Sequence, residues 1–130
     1  MIENCDPETK KAIEQVIDVF QDYIQASPHF ELLWSDKVGY IYIGIDSVHG
    51  LIADMNCWVV DCAKELLDKL ISEIAMDTME EVGHTIDPTE ATLLERREIA
   101  RRLQPYFKQL PAYQDQFQRV LACLLYTSPS

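Results

Sequence analysis

Cysteine, histidine and arginine are the residue types here that could do chemistry beyond packing, and the aromatic residues could recognise a partner. His49, Cys57 and Cys62 fall close together in the sequence. Zinc takes thiolates and imidazoles in a tetrahedron, usually supplied as close pairs such as two cysteines with two residues between them. Cys57 and Cys62 stand five apart, which is no chelating pair on a regular helix, and His84 stands alone. No metal site is expected, and the two thiols read as core or near-core cysteines. A nucleophilic cysteine needs a base and an oxyanion site, and no motif ties His29, His49 or His84 to a thiol. With 22 acids in the chain, neighbouring carboxylates arise by chance. No glycine-rich phosphate loop is present. The expectation is therefore no catalytic residue, no cofactor and no enzyme. A metal- or thiol-dependent enzyme built on His49, Cys57 or Cys62 is the remote alternative.

Arg96, Arg97, Arg101 and Arg102 supply four of only eleven positive charges. On a helical wheel Arg97 and Arg101 are neighbours, and Glu98 and Arg102 make a favourable pair one turn apart. Arg96 falls within the arc of Leu93, Ile99, Ala100 and Leu103, so its stem is expected to pack. The functional reading of Arg97 and Arg101 is a contact to an acidic partner or anion. The plainer reading is a solvated face. Trp34, Tyr40 and Tyr42 form the other candidate. Aromatic side chains are enriched in the cores of protein interfaces, and these three are expected to contribute to a protein–protein or dimer contact.

Those residues must be held by something, and composition bounds what. The chain has 130 residues, 48% hydrophobic and 25% charged, which is ordinary for one globular domain. Four glycines are few for an all-β protein rich in tight turns. A net charge of −11 excludes generic binding to DNA or RNA and disfavours anionic membrane. No apolar run reaches the length of a membrane span, and the N-terminus lacks the features of a signal peptide. A cytoplasmic protein with reduced thiols is expected.

Asp6-Pro7-Glu8 is a helix start, followed by Ile13, Val16, Ile17, Phe20 and Ile24 at helical spacing to about 26. Ser27-Pro28 ends that helix. From Phe30 the period becomes two. Phe30, Leu32 and Trp34 lead through Ser35-Asp36-Lys37-Val38-Gly39 to Ile41, Ile43 and Ile45, a β-hairpin. The isoleucines are expected on the buried face, with Tyr40 and Tyr42 turned outward. Residues 47–56 are ambiguous, with no convincing third strand. A long helix is expected over about 57–80, a further one from Asp87-Pro88 to about Leu103, a break between Pro105 and Pro111, and a last helix over about 112–125.

The last eight residues, Cys123-Leu-Leu-Tyr-Thr-Ser-Pro-Ser130, resemble the translation of a transposon-end sequencing adaptor. They are set outside the fold as a non-native tail, leaving 1–122 as one small domain. The fold expected is α+β: four helices with one antiparallel β-hairpin inserted after the first. The first two helices would sandwich the isoleucine face, and the last two would pair. The leading function is a non-enzymatic interaction or regulatory accessory module of a microbe, with a protein partner or a second copy, no direct nucleic acid and no membrane. An acidic inhibitor that mimics nucleic acid is the alternative the charge suggests.

Overall fold

The computed structural model describes residues 5–48, 51–82 and 93–125. The fold is mixed α+β, with a hairpin after the first helix and a sheet of three antiparallel strands. In chain order the elements are α1 (Pro7–Val19), α2 (Gln21–Ala26), β1 (Phe30–Ser35), β2 (Gly39–Val48), β3 (Leu51–Val59), α3 (Ala63–Val82), α4 (Leu93–Gln109) and α5 (Gln114–Leu125), with a 3-10 turn at Pro111–Tyr113 before α5. Two compact units divide the chain, residues 1–67 and 68–130, and the boundary falls within α3.

In the first unit, Ile13, Val16 and Phe20 recur at helical spacing and are fully buried. The single helix expected over 7–26 is two, separated at Phe20, whose φ of −96° and ψ of 13° leave the helical region. Backbone bonds bridge the step, from Phe20 N–H to Val16 O at 3.1 Å and from Ile24 N–H to Phe20 O at 2.9 Å. Asp6 holds the N-cap position, but its side chain makes no capping bond. Ser27 ends α2 in extended backbone ahead of Pro28, as the ring of a following proline requires.

The hairpin pairs Phe30 with Gly44, Leu32 with Tyr42 and Trp34 with Tyr40. Gly39, at φ 87°, closes the turn in a conformation that other residues adopt only with strain. A third strand, absent from the sequence reading, pairs along β2: Ile41 with Val59, Tyr42 with Trp58, Ile43 with Cys57 and Ile45 with Met55. A bulge lies between Asp46 and Ser47. The helix expected from 57 therefore starts six residues later, at Ala63. Val59 and Val60 fit a helical stripe with Ala63, but Met55, Cys57 and Val59 also alternate with Asn56 and Trp58, and pairing with β2 settles the choice.

In the second unit, Leu70, Ile74, Met79, Ile99, Leu103, Phe107, Leu110 and Phe117 are buried. The expected pairing of the last two helices is present. Phe107 meets Phe117 at 3.7 Å between ring centroids, and the Gln114 side-chain amide donates to the Phe107 carbonyl at 2.6 Å. The break expected at Pro105 does not occur, since α4 runs through it to Gln109. Proline costs the bond its missing N–H would make. Continuing the helix places Phe107 on the buried side, which outweighs that loss. The helix start expected at Asp87-Pro88 lies outside the described residues.

Candidate functional site

The register sorts the sheet into two faces of different chemistry. One carries Phe30, Leu32 and Trp34 from β1, Tyr40 and Tyr42 from β2, and Trp58 from β3. The other carries Leu33, then Ile41, Ile43 and Ile45, then Met55, Cys57 and Val59, with Glu31 at its β1 margin.

The expected assignment of these faces is reversed. Tyr42 is 1% exposed, whereas the three isoleucines are only half-buried. Tyr42 lies between Phe30, 5.1 Å away at an interplanar angle of 7°, and Trp58, 4.7 Å away at 24°. An aromatic ring removes more surface from water than an isoleucine does, so a face holding five aromatics outweighs one holding three isoleucines. Trp58, hidden inside an expected helix, supplies the ring that closes the stack. Tyr42 is thus a core residue and offers no surface to a partner.

Trp34 and Tyr40 lie at the turn end of the aromatic face, in edge-to-face contact at 4.9 Å. The Lys10 ammonium of α1 sits 4.4 Å over the Trp34 ring, a cation–π contact. The Trp34 indole N–H donates to Asp36 at 2.9 Å. Burial, then the charge and hydrogen bond of Glu14 and the charge of Asp18, push the Tyr40 hydroxyl above its ordinary value. Tyr23 of α2 reaches Phe30 at 6.0 Å. α1 and α2, which together replace the expected first helix, therefore lie on the aromatic face and not, as expected, on the isoleucine face. Trp34 is still 37% exposed, but its ring and that of Tyr40 already serve as the seat of α1.

The aliphatic face is the one left accessible. Leu33 is 48% and Met55 52% exposed, and Cys57 beside them is exposed as well. Cys62 is also exposed, so the expectation of core thiols fails for both. The reason is local: with residues 57–59 in a strand and 60–62 in the link to α3, neither thiol rides a helix into the core. His49 and His84 lie outside the described residues, and His29 is half-buried.

The arginines belong to the second unit. Arg97 and Arg101 are exposed and Arg96 is half-buried. Arg101 forms an ion pair with Glu98, one turn away. Arg102 bonds Glu98 at 3.2 Å and reaches Glu81 of α3 at 2.7 Å. Hydrogen bonds from Arg101 and then Arg102 hold the Glu98 carboxyl down to about 2, and Arg102 lowers that of Glu81. The expected Glu98–Arg102 pair is therefore formed, within a small network joining α3 to α4.

Comparison with known proteins finds no matching family model, no matching curated protein and no matching solved structure. Among the described residues, no helix is long and apolar enough to cross a membrane.

Proposed function

We propose that this chain is a protein-interaction module whose docking surface is the aliphatic face of its sheet. One observation carries the reading: Leu33 and Met55, on the sheet face that also carries Ile41, Ile43 and Ile45, are large apolar side chains about half exposed. Contiguous apolar surface rimmed by polar residues is what interaction sites expose. Trp34 and Tyr40 enter as the support of that sheet, and Tyr42 is withdrawn from the surface. Arg97, exposed on α4, is the arginine that could meet an acidic contact, since Arg101 is engaged by Glu98. The reading assigns no catalytic residue and no cofactor.

The test is a pair of variants read with a neutral solvatochromic dye such as Nile red in dilute solution. Leu33→Ser with Met55→Ser is expected to abolish dye binding while near-UV circular dichroism is kept. Loss of the fold in that variant would make the face a core and sink the proposal.

A further inference from the structure

We infer that the outward side of α4 is a separate docking site, for an acidic amphipathic helix of another protein. The inference stands on the second unit alone and does not depend on the sheet face.

Helical period defines that side. Leu94, Arg97, Arg101, Gln104 and Lys108 recur at steps of three and four, so they line one stripe. All five are exposed, while Ile99, Leu103 and Phe107 on the opposite side are buried. The chain has 22 acidic and 11 basic residues, yet the stripe holds bases and no acid. Glu98 flanks it, but its carboxylate is held by Arg101 and Arg102. Arg101 is thereby engaged, which leaves Arg97 and Lys108 as the charges an outside group can meet. No hydrogen bond or ion pair reaches either side chain from another described residue.

Charge, spacing and an apolar end select the occupant. Two cations on an otherwise acidic protein call for carboxylates or phosphates. Arg97 and Lys108 stand about 16 Å apart along the axis, or about three turns. A second helix laid alongside has the same rise, so carboxylates at the same spacing in its sequence face both. Leu94, 77% exposed at the start of the stripe, calls for an apolar side chain beyond those carboxylates. A DNA duplex offers phosphates but no aliphatic group. Two cations also offset little of its repulsion from a chain of net charge −11.

Fluorescence anisotropy of the full chain with two labelled probes tests this. One is a synthetic amphipathic helical peptide with glutamates along one face and a leucine at the end of that face. The other is a short DNA duplex. The peptide is expected to bind at low salt, and Arg97→Gln/Lys108→Gln is expected to weaken it by about fivefold or more. Lys11→Gln/Lys37→Gln makes the same change in net charge at exposed positions of the first unit and should leave binding unchanged. Equal weakening by the two pairs would mean attraction to the chain as a whole and overturns the site. So does a peptide that fails to bind, or one that binds as well with glutamine in place of glutamate. Tighter binding of the duplex than of the peptide overturns the acidic helix in favour of a polyanion. Should the double variant unfold, Lys108→Gln alone carries the same comparison.

Discussion

Tyr42 shows how one residue's surroundings reverse its meaning. Read along the strand, it alternates with isoleucines and belongs outside. In the sheet it fills the space between Phe30 and Trp58 and is 1% exposed. Removing it leaves a cavity flanked by two rings. Tyr42→Ala should therefore destabilise the protein by about 3 kcal/mol, measured as a fall in the urea midpoint. Leu33→Ser, on the opposite face, should cost about 1 kcal/mol or less. Equal costs for the two would return the aliphatic face to the core. Neither value could be assigned from the strand alone, because a period of two separates two faces without saying which is wet.

At the scale of elements, composition and period were informative where one element decides its own conformation. Pro7 and Pro28 bracket the first helical region, and Gly39 closes the hairpin turn. Local pattern is overridden where a neighbour decides. Residues 51–59 are a strand through pairing with β2, and α4 passes Pro105 with Phe107 packed on α5. The network between α3 and α4 gives this scale its prediction. The folded carboxyl of Glu98 lies at about 2, below its ordinary 4.5. Its ionised form is thus favoured by folding. That contribution is complete above about 4.5 and is lost as pH falls toward about 2. Glu98→Gln should flatten the fall of Tm with pH across that window. An unchanged slope would show that the network adds nothing measurable, as exposed pairs often do.

For the whole molecule the governing quantity is charge. At −11 the chain repels itself and its copies. A contact at the basic stripe of α4 is the opposite case, an attraction that salt screens and weakens. Anisotropy with the acidic peptide at low and at high ionic strength should show the dissociation constant rising as salt rises. A constant indifferent to salt would mark an apolar contact instead. A basic partner held by the acids would also be released by salt, which is the behaviour an acidic mimic of nucleic acid would show.

The sequence by itself determined the α+β class, the place of the hairpin after the first helical region, and the helices with a strong apolar stripe. These follow from local period and from the backbone restrictions of proline and glycine, which act within a few residues. Only the tertiary structure decided the third strand, the start of α3 at Ala63 and the facing of the sheet. Each depends on partners distant in sequence. Trp58 must meet Tyr42 across a strand pair, and Lys10 must reach Trp34 from a helix, before the aromatic face becomes the buried one. The surface proposed for function is what that choice leaves outside.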